Sequence, residues 1–356
     1  MKKIDTYLLI SVVVLTIFGL FIIYDASSVI AFRDFGDKYY YIKEQFFWAV
    51  MGFVGMIGFS FIDYRKLYNL SLVFLIGAIG SLLLVFIPGI GVHTLGASRW
   101  INLGFTSIQP AELVKLSLAI YLAAWFSHKE SGRFGAFALL LGTVLVLIML
   151  QPDMGTASII LFEAVVLYFL SGASLMHFMI SLPLVAILGF IGIKLEPYRA
   201  SRLTSFLNVD KSLAGVSYHV KQILIALGSG GIFGVGVGNS LQKYSYLPEN
   251  VTDSIFAIIA EEFGFIGSVV LIILLMFIIW RGFLIASNCK DNFGKLLAAG
   301  IVSFIGIQMV INLGAMTVIF PLTGVPLPFV SYGGSALIVD LVSIGILLNI
   351  SRQRAS

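Results

Sequence analysis

The residues best suited to chemistry stand at the edges of apolar runs. Asp253 ends the polar stretch Gln242-Lys243-Tyr244-Ser245-Tyr246-Leu247-Pro248-Glu249-Asn250-Val251-Thr252-Asp253 and leads straight into a long apolar segment. A helix N-terminus favours an ionised carboxylate, and an ionised carboxylate is what a general base requires. The same position suits a plain N-cap, a role compatible with catalysis. Glu112 and Lys115 follow Pro110 closely enough to share one face of a helix. Within a bilayer such a pair must face protein or a water-filled cavity, either as a lock between helices or as part of a site. Asp153, in Gln151-Pro152-Asp153-Met154, again precedes an apolar run and reads as a cap or as a site group.

Arg99, Lys115, Arg202 and Lys243 supply positive charge that could stabilise a departing anion, by bidentate guanidinium bonds or as point charges. Gly228 to Gly238 holds six glycines in eleven residues, a density like that of a phosphate-cradling loop. No strand pattern precedes it and no Gly-Lys-Ser/Thr closes it, which excludes a nucleotide fold. Two roles stay open: close approach of backbone N–H groups to a diphosphate, or a bend with tight helix packing. No His/Cys cluster has zinc-binding spacing. The single cysteine, Cys289, cannot form an internal disulfide.

Positioning these groups falls to a membrane bundle. The chain is 59% apolar and 11% charged, whereas soluble globular chains average roughly 45–50% and 25%. That balance excludes disorder, a disulfide scaffold and a compact nucleic-acid-binding domain, and it predicts an all-α, polytopic membrane protein. Apolar runs at 6–26, 44–62, 67–88, 111–127, 134–151, 154–171, 175–193, 254–283, 295–320 and 332–350 give ten expected spans. Lys2-Lys3 before the first run imitates a signal peptide, but the run is longer than such a peptide's apolar region and reads as an uncleaved span. An even number of spans puts both termini on one side. Short loops on that side carry eleven Lys and Arg against four opposite, which predicts cytoplasmic termini. The connection 194–253, between the seventh and eighth spans, is the one long loop, and its helical piece from Tyr218 to Leu227 predicts an ordered, partly helical structure on the outer face. With no internal repeat and no soluble domain, residues 1–356 read as one membrane domain.

Several motifs carry a resemblance. They are Gly228-Ser229-Gly230-Gly231 through Gln242-Lys243, Leu247-Pro248-Glu249, Thr252-Asp253, Ala260-Glu261-Glu262-Phe263-Gly264, and the block from Gly324 through Pro326-Leu327-Pro328-Phe329 to Ser331-Tyr332-Gly333-Gly334-Ser335. With Ala97-Ser98-Arg99-Trp100 and Gln109-Pro110-Ala111-Glu112 they span the chain, which resembles the SEDS family of RodA, FtsW and SpoVE. Two positions depart from the family pattern: Ser254 replaces an aromatic after Thr252-Asp253, and Ala336 replaces a serine after Ser335. Both departures spare the carboxylate.

The resemblance implies a peptidoglycan glycosyltransferase of the bacterial cytoplasmic membrane that polymerises lipid II into glycan strands on the outer face. It also implies a class B penicillin-binding protein as cross-linking partner. Short termini point to the RodA branch and so to the cell-elongation complex. In the implied inverting displacement, the C4 hydroxyl of an N-acetylglucosamine acceptor attacks C1 of an N-acetylmuramyl donor and a polyprenyl diphosphate departs. Asp253 is then the expected base, with Arg99, Lys115, Arg202 and Lys243 near the diphosphate and Glu112, Asp153 and Ser331 completing the substrate contacts. The uncharged loop Pro321 to Phe329, with three prolines, reads as a stiff wall of the groove. The sequence requires no cofactor and admits a divalent cation, Mg or Mn, held by carboxylates and diphosphate. Membrane lipid is an expected partner and nucleic acid is not. A lipid-linked precursor flippase or transporter is the alternative, and predicts inverted repeats with binding at the bilayer midplane. A non-catalytic scaffold for the penicillin-binding protein would leave Asp253 dispensable.

Overall fold

The structure, a computed structural model, describes residues 4–94, 97–102, 104, 106–128, 133–181, 183, 189, 206, 216–244 and 246–353. The principal helices are α1 (Thr6–Phe35), α2 (Tyr40–Phe61), α3 (Arg65–Leu84), α4 (Pro110–Phe126), α5 (Phe134–Met149), α6 (Met154–Leu170), α7 (Val216–Gly230), α8 (Ile255–Ser287), α9 (Asn292–Met316) and α10 (Gly334–Gln353). Among the described residues, six of them, α1, α2, α3, α8, α9 and α10, are long and apolar enough to cross a membrane. The helices α4, α5 and α6 have 17, 16 and 17 residues, a little short of the roughly 20 that a bilayer core asks for. The expected run 175–193 is helical over 175–181 and lies mostly outside the described residues beyond that. In the long connection, α7 covers the anticipated helical piece.

The all-α expectation misses a small sheet. Between α3 and α4 the strands β1 (Gly91–Thr94), β2 (Ala97–Asn102) and β3 (Ser107–Ile108) form an antiparallel meander in the order β1-β2-β3. Val92, Trp100, Ile101 and Ile108 are residues that fit a pleated surface, and strand pairing satisfies backbone groups of a connection that has no helical partners.

Burial sorts the helices into an inner and an outer set. The hydrophobic windows of α9 and α10 are 72% and 78% buried, against 28% in each of α2, α3 and α8. With α4, whose buried residues lie all round the helix, α9 and α10 form the centre. The outer helices keep apolar faces outward, as lipid-facing helices do. The α2 and α10 backbones approach closely: a Cβ on Gly345 would stand 2.4 Å from the Met56 carbonyl oxygen, a small-residue contact typical of membrane helices.

The two ends of the bundle differ. At the end holding both chain termini, Asp5 caps α1 by accepting from the Leu8 N–H (3.0 Å) and pairs with Arg281 at 2.5 Å. There the Tyr64 hydroxyl donates to Asp291, which itself caps α9. The opposite end gathers the sheet, the 150–153 turn, the glycine-rich run, residues 246–254 and the strap 321–333.

Candidate functional site

A cavity of about 600 Å³ opens at the end of the bundle away from the termini. Its walls include Glu44 and Trp48 from α2, Trp100 and Asn102 from β2, Gln109 ahead of α4, Asp253 ahead of α8, and the strap with Tyr332 just ahead of α10. The pleat of β2 decides which of its residues take part. Trp100 and Asn102 are two apart and so share one face of the strand, while Arg99 points the other way. On that other side Arg99 donates from Nε to the Gln151 carbonyl (2.9 Å) and from Nη2 to the Pro152 carbonyl (2.5 Å). The guanidinium thus closes the turn between α5 and α6.

Asp153 lies in the same turn. It caps α6 by accepting from the Thr156 N–H (3.0 Å) and hydroxyl (2.8 Å), and it accepts from Gln109 Nε2 (3.0 Å). Gln109 in turn is tied through its own N–H to Ser335 Oγ (3.0 Å). Pro110 takes the first turn of α4, as its missing N–H allows.

Asp253 has a different setting. The N-cap position of α8 is Ser254, one residue later, and its hydroxyl shares a 2.7 Å hydrogen bond with His219 of α7. Asp253 therefore belongs to the turn that precedes the helix and lines the cavity, and its carboxylate accepts from the Thr252 hydroxyl (3.2 Å). Two ties hold the turn in place. The Asp253 carbonyl accepts from Asn312 Nδ2 (2.8 Å), and the Val251 carbonyl accepts from the Tyr332 N–H (2.9 Å). Across the cavity the Tyr332 hydroxyl donates to Glu44 (2.5 Å), a second carboxylate in the wall.

Glu112 and Lys115 share a helical face as expected and form a buried ion pair at 2.7 Å. The ammonium also donates to Gln308 Oε1 (2.5 Å). Two more buried carboxylates, Glu163 and Asp340, lie within its electrostatic reach. Their sequence signal was an acidic residue inside an apolar run, the same rule that singled out Glu112. The amides Gln308 and Asn312 were legible in the same way.

The glycine-rich run packs against α8 rather than standing open. α8 breaks at Gly264 (φ 66°, ψ −165°), which frees the carbonyls of Glu261 and Glu262. These accept from the Val235 and Gly236 N–H groups at 3.0 and 3.1 Å. A Cβ on Gly234 would lie 2.1 Å from the Glu262 carbonyl oxygen, so glycine there is required by the approach as well as by its φ of +83°. The Glu262 carboxylate takes N–H bonds from Gly238 and Ser240. Lys243 joins it at 3.1 Å and joins Asp25 of α1 at 3.0 Å. Burial lowers the proton affinity of Lys243, but its bonds to Asp25 and Glu262 outweigh that and raise its pKa above the ordinary lysine value.

Of the candidate catalytic and substrate-binding residues named from the sequence, Asp253 is the one among the described residues that lines this cavity, and the proline loop expected as a wall contributes Gly324 and Pro326. Lys115 lies one hydrogen-bonded residue away and Glu112 two, since Lys115 donates to Gln308 and Gln308 Nε2 donates to the Pro326 carbonyl (3.1 Å) in the wall. Ser331 is buried in the strap, where its Oγ accepts from the Leu327 N–H (2.8 Å). Arg99 is engaged by the 150–153 turn, Asp153 is bonded to Gln109, which lines the cavity, and Lys243 is enclosed with its carboxylates. Arg202 lies outside the described residues.

Comparison with known proteins agrees with this architecture. A family model described as cell cycle protein, covering FtsW, RodA and SpoVE, matches residues 5–356. Stage V sporulation protein E of Bacillus subtilis is 41% identical, over 98% of this chain and 97% of that protein. The probable peptidoglycan glycosyltransferase FtsW of Geobacter sp. (strain M18) is 37% identical over 99% of both chains. Among solved structures, a chain of a peptidoglycan synthase complex described for its coordination of polymerization and crosslinking superposes with a TM-score of 0.84, at 28% identity and 99% coverage of both chains. The rod shape determining protein RodA of Thermus thermophilus superposes at 0.74, with 27% identity, over 99% of this chain and 98% of that one. A match across nearly the full length, by sequence and by fold, settles the family: the chain belongs to the FtsW, RodA and SpoVE cell cycle proteins.

Proposed function

We propose that the chain is a peptidoglycan glycosyltransferase that polymerises lipid II, with Asp253 as general base. The observation that carries this reading is an aspartate in the wall of an open cavity whose turn is held through backbone carbonyls by Asn312 of α9 and by the Tyr332 N–H of the strap. The acceptor C4 oxygen forms a bond to donor C1 while the bond from C1 to the diphosphate oxygen breaks. The acceptor proton passes to the Asp253 carboxylate, and the polyprenyl diphosphate leaves with the bonding electrons. Inversion at C1 follows from the single in-line step. Trp48, Trp100 and Tyr332 give the cavity aromatic surface for sugar rings, and Glu44 offers a second acceptor for sugar hydroxyls.

Countercharge for the diphosphate is proposed to come from Arg202, and a divalent cation, Mg or Mn, if bound, would add to it, with Glu44 as the cavity carboxylate that would hold it. Among the described residues no cluster of three or more His, Cys, Asp or Glu is arranged to cage a metal by itself, so the diphosphate would supply the remaining ligands. Arg99 and Lys243 are already engaged by carbonyls and carboxylates and act on the site through the turns they hold.

The partner on this reading is a class B penicillin-binding protein, in keeping with the synthase complex that the chain resembles. The chain resides in the bacterial cytoplasmic membrane with both termini cytoplasmic and the cavity on the outer face, and it serves cell elongation. A division or sporulation role is the second reading, favoured by higher identity to the SpoVE and FtsW relatives than to RodA of Thermus. The test is glycan polymer resolved on gels from purified full-length protein and lipid II, with moenomycin present to silence unrelated polymerases. Absence of polymer with the cross-linking partner supplied would return the flippase or scaffold reading. For orientation, cysteines placed at Ser287 and Asn239 in a Cys289→Ser background should be labelled from the cytoplasm and from outside respectively; the reverse pattern rejects the assignment.

A further inference from the structure

We propose that Gln308 and Asn312 form a positioning clip on α9 that sets Asp253 against the proline strap, and that the buried Glu112–Lys115 pair fixes the clip's orientation. The inference rests on the reading of Asp253 as base. Residues 246–254 and 321–329 belong to no helix or strand, so side-chain donors must hold much of their backbone. Gln308 and Asn312 are one helical turn apart and share a face, and they are 0% and 1% exposed.

Asn312 Nδ2 donates to the carbonyls of both Asp253 and Val325, each at 2.8 Å. One amide thus joins the peptide of the candidate base to the strap, whose Gly324 and Pro326 line the same cavity. Asn312 Oδ1 is buried without a hydrogen-bond partner among the described residues. An orphaned buried oxygen is costly, and a leucine of similar size would avoid it. The two donor bonds are what the amide provides in return.

Gln308 is the second rung. It accepts from Lys115 through Oε1 (2.5 Å) and donates from Nε2 to the Pro326 carbonyl (3.1 Å). An ammonium can only donate, so Lys115 forces the amide oxygen toward itself and the amide NH₂ toward the strap. Glu112 holds the ammonium at 2.7 Å and keeps it there. A chain of named bonds therefore runs from Glu112 through Lys115 and Gln308 to Pro326, and from the adjacent Val325 through Asn312 to Asp253. The clip residues touch no reacting atom on this reading. They are positioning residues.

The experiment uses full-length protein, lipid II and the cross-linking partner, with thermal melting and partner binding measured on every variant. Asn312→Leu removes both donors without adding charge, Asn312→Asp removes them isosterically, and Asn312→Gln keeps the amide one methylene further out. The expected result is a fall of about tenfold or more in kcat for Asn312→Leu and Asn312→Asp with KM within about twofold, because geometry at the base and not substrate affinity is lost. Asn312→Gln should recover part of kcat, which bulk packing alone would not produce. Gln308→Leu should lower kcat in the parent and do no further harm in a Lys115→Met background, where the amide is no longer oriented. A folded Asn312→Leu with parental kcat overturns the clip even if Asp253→Asn is inactive. Parental activity of Asp253→Asn would instead overturn the base reading, so the two failures are told apart.

Discussion

Asp153 and Asp253 each follow a proline-containing turn and each precede an apolar run, yet the bundle uses them in opposite ways. Asp153 spends its carboxylate on the Thr156 N–H, the Thr156 hydroxyl and Gln109. Asp253 stands one residue ahead of the cap position of its helix and lines the cavity, while Asn312 holds its turn by the carbonyl. A one-residue difference in where the helix starts thus separates a cap from a candidate base. The lysines show the same division: Lys243 is enclosed by Asp25 and Glu262, whereas Lys115 passes its hydrogen bonding on to the cavity wall through Gln308.

The largest effect expected from this contrast is at Asp253. Asp253→Asn keeps the size of the side chain and removes its basicity, so polymerisation should fall by about 10² to 10⁴ with an unchanged melting temperature. Asp253→Glu moves the carboxylate by one methylene and should recover little. Gel-resolved glycan from lipid II reads both. Near-parental polymer from the Asn variant would make Asp253 the equal of Asp153 and dissolve the comparison.

Lys115 comes next. Lys115→Met leaves Glu112 buried without its cation, a loss of about 3–5 kcal/mol for a pair enclosed this completely. Adding Glu112→Gln removes the carboxylate paired directly with the ammonium, so the double variant should regain part of the melting temperature, with Glu163 and Asp340 still lacking Lys115. It should not regain activity, because Gln308 is still released from its orientation. Recovery of both would make the pair a lock between helices and nothing more.

Much of this arrangement was legible in the sequence and some was not, for identifiable reasons. Long apolar runs, the Pro110 start of α4 and the Glu112–Lys115 spacing follow from local rules of length and periodicity, and they reappear in the structure. The sheet at 91–108 escaped because its strands are short and its pairing is set by the turn between α3 and α4 rather than by a hydrophobic pattern. Residue type marked Arg99 and Lys243 as cations for an anion, but it could not say that carbonyls and carboxylates distant in sequence already occupy them. The glycine-rich run posed the same difficulty. Its N–H groups serve the broken helix at Gly264, a partner some thirty residues away that spacing alone does not reveal.

Lys243→Met tests the enclosed half of the comparison. It strands two carboxylates, but Asp25 is 16% exposed and Glu262 keeps its N–H bonds from Gly238 and Ser240. The destabilisation should therefore fall below the about 3–5 kcal/mol of a fully enclosed broken pair. Activity per folded molecule should stay near the parent's, measured as polymer yield normalised to the folded fraction. A large fall in normalised activity, with melting unchanged, would place Lys243 on the diphosphate after all.

The smallest effect is expected at Asp153, and it is the sharpest control. Asparagine caps helices about as well as aspartate, and Asp153→Asn retains an oxygen to accept from the Thr156 N–H. Its cost should stay within about 0.5 kcal/mol, while Asp153→Ala loses the cap and should cost about 1 kcal/mol. Neither variant should change normalised polymerisation by more than about twofold, since Asp153 does not itself line the cavity and its carboxylate is taken up by protein groups. The same exchange of Asp for Asn is thus nearly silent at one turn and nearly abolishes activity at the other. If Asp153→Asn instead loses polymerisation as Asp253→Asn does, charge at the 150–153 turn matters to the reaction, and it reaches the cavity through Gln109, which Asp153 holds and which lines the wall.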